Sequence, residues 1–271
     1  MALDLLIAIF FLFVGIEITA TLTHPKQVLL PAIAALGGMI LPAWIFLALN
    51  PGSPAWATAM PTDLALALGV FALLGKKANP AVRIFLLTLA VADDLFSLIV
   101  LAIFYGDQLD IAHSASTLGA AAFGALLAFV PKFPVAKVVT ILSPLCTFFV
   151  IPVYVVAKLS DGISLDSVTS KTAIALTIAR VVGKILGITL FAWLCIRLKV
   201  VPKPTNLKIT EIAGVGALAG MGLTVALVIS EVAVSSKEIQ GDVKAGLIIS
   251  ALISGLIGFI WLRVVRPTSV S

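Results

Sequence analysis

The chain has 271 residues, of which 61% are hydrophobic and only 11% charged, and its mean hydropathy is +1.20, which excludes a water-soluble globular domain of ordinary composition. Its 18 Lys and Arg outnumber its 13 Asp and Glu for a formal charge of +5. The basic residues are scattered between apolar runs, which argues against a nucleic-acid-binding face and for a polytopic membrane protein. Cys146 and Cys195 both fall inside apolar runs, so neither a disulfide framework nor a thiolate metal site is expected.

Nine apolar segments of spanning length are marked by composition, at about 2–23, 27–49, 55–75, 80–105, 112–131, 136–158, 172–196, 209–234 and 243–265. Alternating the loops between two sides puts Lys26, Lys76, Lys77, Arg83, Lys132, Lys137, Arg197, Lys199, Lys203, Lys208, Arg263 and Arg266 on one side. Only Lys158, Lys171, Lys237 and Lys244 fall on the other. The positive-inside rule then predicts an N-terminus outside and a C-terminus in the cytoplasm. Asp4, rather than a basic region, precedes the first run, which continues into a full span and reads as no cleavable signal peptide.

The first span carries Glu17 about two-thirds of the way along, where its carboxylate can reach towards water in a cytoplasmic funnel. The third span, ATAMPTDLALALGVFALLG, is interrupted at mid-depth by Pro61, Thr62 and Asp63. A proline there removes a backbone hydrogen bond and clashes with the preceding turn, so the helix is expected to break and leave Asp63 beside the positive end of a half-helix. The fourth span holds Asp93 and Asp94 near its middle. A lone charge at that depth costs roughly 2.5–3.5 kcal/mol even on the lenient insertion scale, so a paired aspartate calls for counter-charges, a bound cation or protons. The seventh span contains Arg180 and Lys184, four residues apart on one helical face, and both need partners. The eighth has Gly214, Gly216, Gly220 and Gly222, a small face suited to close packing.

Spans two to four (residues 27–105) are echoed by spans seven to nine (172–265), each set having one interrupted member, with 106–171 connecting them. Spans five and six separate the two sets, so span two runs outward and span seven inward, and the second set enters the membrane from the opposite side. The expected fold is therefore all-α: about nine transmembrane helices in one transporter domain (1–271), built from inverted three-helix repeats whose two broken helices cross at mid-membrane.

The residues themselves resemble a known family, the NhaA-type bacterial sodium/proton antiporters, whose fold is an inverted repeat. The matching stretches are FFLFVGIEI (Phe10 to Ile18), LPAIAALGGMILPA (Leu30 to Ala43), PTDLALALGVFALLG (Pro61 to Gly75), IFLLTLAVADDLFSLIVLAIFYG (Ile84 to Gly106), VGKILGITLFAWLCIRLK (Val182 to Lys199), GVGALAGMGLTVALVIS (Gly214 to Ser230) and FIWLRVVRP (Phe259 to Pro267). The resemblance implies that Asp94 is the principal Na+ ligand and Asp93 its partner carboxylate, paired with Lys184. It further implies that Thr62 and Asp63 stand at the crossing, Asp63 offsetting positive half-helix ends and Lys184 negative ones. It implies no resident cofactor, only transported Na+ (or Li+) and H+, in a bacterial inner membrane with lipid as the surrounding partner.

The chain departs from that family in being shorter. Aligned on the resemblance, it is expected to lack the first span and two from the middle, HSASTLGAAAFGALLAFVPKF resuming like the family's eighth. Also absent is the β-hairpin through which the family dimerises, which leaves a homodimer without its usual contact. After Glu17 the sequence reads ITATLTHP, without the family's acidic and histidine cluster at the cytoplasmic mouth. Arg180 stands where the family has an apolar residue, and it is expected to engage an aspartate and alter proton coupling.

The chemistry follows from the residue types. Na+ prefers oxygen ligands, here Asp93 and Asp94 with the Thr62 hydroxyl or freed carbonyls. Desolvation favours the neutral carboxyl and a nearby lysine the charged one, so protons and Na+ compete for one site. Antiport by alternating access follows if the site crosses only when occupied, and two ionisable carriers make it electrogenic. An intramembrane aspartyl protease would show GxGD where this chain has MPTD and AVADD, and a prenyl-transfer enzyme would show DDxxD where it has DDLFS. The alternatives that persist are a sodium-coupled organic anion symporter of similar design and a degenerate homologue that binds cations without exchange.

Overall fold

The computed structural model describes residues 2–22, 25–75, 78–106, 115–130, 133–160, 164–202, 204 and 206–265. Lys76, Lys77, Lys132, Lys203, Arg266, the side chain of Lys26, His24 and the beginning of the fifth predicted span lie outside the described residues.

The described residues are helical in every element. In chain order these are α1 (Ala2–Leu22), α2 (Pro25–Leu49), a 3-10 turn over Pro54–Ala59, α3 (Leu64–Ala72) and α4 (Pro80–Tyr105). A π-turn over Ala115–Gly119 leads into α5 (Ala120–Ala128), and α6 (Val135–Leu145) passes through a π-turn at Cys146–Val150 into α7 (Ile151–Leu159). Then come α8 (Leu165–Thr169), α9 (Lys171–Ile178), a π-turn at Ala179–Gly183, α10 (Lys184–Arg197), α11 (Ile209–Ala219), α12 (Thr224–Ala233) and α13 (Lys237–Val264).

Among the described residues, seven stretches are long and apolar enough to cross a membrane: Leu3–Ala20, Val28–Leu49, Pro54–Ala72, Pro80–Tyr105, Val135–Leu159, Lys171–Arg197 and Lys237–Val264. The pair α11 and α12, bent by 52° at its break, makes an eighth, and Thr117–Ala128 is a shorter apolar helix. Each of the nine predicted segments thus has a helical counterpart among the described residues, the described part of the fifth being shorter than a full span. The chain is a polytopic all-α membrane protein.

Local chemistry starts and joins these helices. Asn79 caps α4 by accepting from Ala81 N–H at 2.9 Å, and Pro80 occupies the first turn, where no N–H is needed. Ser170 caps α9 in the same way, accepting from Ala173 N–H at 3.1 Å. Helices α2 and α10 cross with their backbones in contact. A Cβ built on Gly37 would meet the Gly187 carbonyl oxygen, and one on Gly187 would meet that of Gly37, so only glycine permits this approach.

The buried apolar side chains form two clusters, and α4 runs from one into the other. Leu86, Leu89 and Ala92 pack with α2, α3, α10 and α11. Val91, Leu98, Leu101 and Tyr105 pack with α1, the 3-10 turn, α7 and α12. Asp93 and Asp94 therefore sit where the two apolar bodies meet, near the middle of α4, where Lys184 brings a polar group from another segment. At the far end of the first cluster, buried Glu211 accepts from Asn79 Nδ2 at 2.8 Å and from its own N-cap, Lys208 N–H, also at 2.8 Å. That pair ties the first turn of α11 to the first turn of α4.

Candidate functional site: a crossing of two broken helices

The predicted interruption at Pro61 is present. The 3-10 turn ends at Ala59, Met60 to Asp63 are non-helical, and α3 restarts at Leu64 with Asp63 as its N-cap. The glycine-rich eighth span breaks too, between Ala219 and Thr224. The two breaks touch: Asp63 N–H donates to the Met221 carbonyl oxygen at 2.8 Å. Main-chain groups freed by each interruption are thus used to join it to the other, as buried backbone polarity requires.

Asp63 takes the positive ends of both half-helices. Its Oδ1 accepts from Ala65 N–H at 3.1 Å and Leu66 N–H at 3.3 Å in the first turn of α3. Its Oδ2 accepts from the Thr224 hydroxyl at 2.5 Å and the Thr224 N–H at 3.4 Å, where α12 begins. One carboxylate thereby caps two helix N-termini, where the backbone dipoles favour negative charge.

The negative ends meet the two buried bases. Lys184 donates to the Met60 carbonyl oxygen, to Thr62 Oγ1 at 2.9 Å and to Asp93 Oδ2 at 3.2 Å, the last a fully buried ion pair. Arg180 donates from Nη1 to Thr58 O at 2.7 Å, from Nη2 to Pro61 O at 2.8 Å and from Nε to Gly220 O at 3.3 Å. Its hydrogen bonds therefore go to carbonyls rather than to an aspartate, correcting the expected engagement with a carboxylate. The reason is geometric: three carbonyls at the C-terminal ends of two half-helices converge on a planar fork with five N–H donors.

Asp94 is placed differently from its neighbour. It is 8% exposed, and its Oδ1 is buried without a hydrogen-bond partner, as is the hydroxyl of Ser97 one turn further along α4. It borders a cavity of about 50 Å3 whose wall includes Glu17, Thr62, Asp63, Thr147 and Thr224. Among the described residues no group of three or more His, Cys, Asp or Glu is assembled as a metal centre. A cation here would meet one open carboxylate, with hydroxyl oxygens and a second carboxylate already held by Lys184.

All seven residues singled out in the sequence thus lie at or beside this crossing, six at its centre and Glu17 part-buried on the cavity wall. Sequence reasoning missed Thr224 and read Gly222 only as part of a helix-packing face, not as room for the Arg180 guanidinium. The signal for Thr224 was a hydroxyl residue directly after the break, the position a restarted helix offers to a carboxylate. For Gly222 it was a second glycine two residues after Gly220. A Cβ on Gly222 would fall on the Arg180 guanidinium and the Pro61 carbonyl.

The comparisons with known proteins agree in direction. The model of the family described as Na+/H+ antiporter 1 matches residues 1–139 and 129–262. The Na(+)/H(+) antiporter NhaA of Escherichia coli (strain K12) is 33% identical over 327 aligned positions, covering 98% of this chain and 83% of the relative. Those of Citrobacter koseri and Salmonella arizonae are each 32% identical over 321 positions, covering 96% of this chain and 82% of the relative. These alignments are longer than the chain itself, so the relatives carry segments inside the matched region that this chain lacks. Matched by the family model over nearly its whole length, the chain belongs to the Na+/H+ antiporter 1 family.

Proposed function

We propose that the chain is a secondary active sodium/proton antiporter that exports Na+ or Li+ in exchange for protons, by alternating access, from a bacterial inner membrane. The observation that carries this reading is the unsatisfied Asp94 carboxylate oxygen on a shared cavity, beside a crossing where Asp63, Asp93, Arg180 and Lys184 already have hydrogen-bond partners. A buried carboxylate without a partner is costly, and two small ligands relieve the cost: a proton, which neutralises it, or a cation, which pairs with it. Both use the same oxygens, so each displaces the other.

In this mechanism Asp94 is the principal Na+ ligand and Asp93 joins it when Lys184 releases its carboxylate. Thr62 completes the oxygen set, and Glu17 draws cations into the funnel. Asp63, Lys184 and Arg180 balance the half-helix ends, so the crossing holds without water. With two ionisable carriers at the site, more protons than sodium ions move in each cycle and the exchange is electrogenic. The repeats 27–105 and 172–265 rock about the crossing, with the N-terminus outside and the C-terminus in the cytoplasm, the side that gathers most basic loop residues. The only partners required are the transported ions and lipid; no catalysis or resident cofactor enters.

The test is transport by the purified protein in liposomes carrying an internal pH dye. An imposed Na+ gradient is expected to drive protons the opposite way, at a rate that changes with membrane potential. Na+-dependent uptake of an organic anion without proton movement would establish symport instead. Na+ binding with no flux would establish a degenerate binder.

A further inference from the structure

Asp63 gathers the N-terminal ends of both half-helices, and Arg180 mirrors it at the opposite ends. Thr58 and Pro61 lie at the C-terminal side of the 3-10 turn, and Gly220 closes α11. All three carbonyl oxygens bond to the one guanidinium, which is completely buried. Lys184, by contrast, spends its donors on one carbonyl, one hydroxyl and Asp93.

We infer that Arg180 is a positioning residue for cation binding: it clamps the C-terminal ends of the two broken segments together and thereby fixes Thr62, Asp63 and Lys184 relative to Asp94. The inference rests on the exchanger reading of this site and adds a division of labour to it. Arg180 carries the helix ends, and Lys184 is left to hold the carboxylate.

Three features support the clamp. First, an arginine fork holds three acceptors at fixed angles, whereas an ammonium is a point charge on a flexible stem. Second, the partners come from segments about 160 residues apart along the chain, Thr58 and Pro61 on one side and Gly220 on the other, and Asp63 N–H to Met221 O is the adjoining main-chain link. Third, the site is cut to the side chain. Gly222 leaves the space that the guanidinium occupies, and a Cβ there would strike both the guanidinium and the carbonyl it holds. The arginine and the glycine form a matched pair. Because Asp63 and Arg180 together close both kinds of helix end, the crossing behaves as one block, and motion during transport falls outside it.

The experiment compares Arg180→Gln, Arg180→Lys and Gly222→Ala with the unsubstituted protein. Na+-driven proton flux in liposomes gives KM and kcat, and the Na+ concentration for half-maximal thermal stabilisation of the purified protein gives affinity without transport. Arg180→Gln is expected to raise the Na+ KM and the half-stabilising concentration about ten-fold, the loss of one charge-assisted hydrogen bond's worth of organisation, with kcat little changed. Arg180→Lys keeps the charge without the fork and is expected to recover only part of that loss. Gly222→Ala is expected to raise KM likewise, and the double variant Gly222→Ala with Arg180→Gln to be no worse than the poorer single one.

An unchanged Na+ KM with a kcat that falls only as folded protein is lost would overturn the clamp. So would Arg180→Lys being as damaging as Arg180→Gln, or additive effects of the Arg180 and Gly222 substitutions. Should Arg180→Gln fail to fold, the Gly222→Ala comparison decides the matter alone. Absence of flux in the unsubstituted protein would overturn the exchanger reading, while the thermal measurement still tests the clamp.

Discussion

Thr224 gives Asp63 both its hydroxyl, at 2.5 Å, and its backbone N–H, at 3.4 Å, so the start of one half-helix is bonded to the N-cap of another that lies 161 residues earlier in the chain. Removing the hydroxyl strands part of a buried carboxylate. Thr224→Val is expected to destabilise the protein by about 1.5–3 kcal/mol, the usual worth of a hydrogen bond to a charged group, and Thr224→Ser by far less. Thermal unfolding of the two variants in the same detergent measures the difference.

The contact of α2 with α10 depends on glycine in both. Gly187→Ala would drive a methyl group into the Gly37 carbonyl, and overpacking of this kind costs about 1–3 kcal/mol. The expected outcome is a clear drop in melting temperature for Gly187→Ala. At Gly69, where a Cβ meets no other group within 4 Å, alanine should produce no such drop.

On the other side of the crossing, Lys158 pairs with Glu231 at 2.5 Å, joining α7 to the last turn of α12, and lies 5.7 Å from the centre of the Tyr154 ring. The partners keep 23% and 25% of their side-chain exposure, so solvent screening keeps their coupling below about 1 kcal/mol. A double-mutant cycle with Lys158→Gln and Glu231→Gln is expected to return a coupling of that size. The swap of Lys158→Glu with Glu231→Lys should restore the stability that either single reversal removes.

Competition between ions fixes the direction of the pH response. A protonated carboxyl offers Na+ a neutral and poorer ligand, so the apparent Na+ KM is expected to rise as pH falls. Maximal rate at saturating Na+ should be less affected, because excess cation displaces the proton. Flux measured at several Na+ concentrations and pH values checks this, and a Na+ KM independent of pH would mean the two ions do not share a site.

Much of this arrangement is legible in the sequence because membrane burial makes polarity expensive. Asp63, Asp93, Asp94, Arg180 and Lys184 are conspicuous within apolar spans, and an intramembrane proline beside Asp63 announces its break. The Asp93–Lys184 pair follows from the family resemblance and has the expected partners. The second break is less visible, because glycine serves equally for helix packing and for unwinding. Only contact with Pro61 and Asp63 distinguishes the Gly220–Leu223 segment from a packed helix. The direction taken by Arg180 was not legible at all: carbonyl oxygens leave no mark in a sequence, and spacing alone pairs an arginine with the nearest carboxylate. The π-turns at Ala115–Gly119, Cys146–Val150 and Ala179–Gly183 have no residue signature either. The last of these adjusts the helix just where Arg180 must reach the crossing.

The most direct test of a shared site is proton release on Na+ addition to the purified protein in weakly buffered solution. The account predicts saturable release from the unsubstituted chain, with the same Na+ dependence as its transport, and none from Asp94→Asn. Saturable Na+ binding unaccompanied by proton release, or release that survives Asp94→Asn, would contradict it.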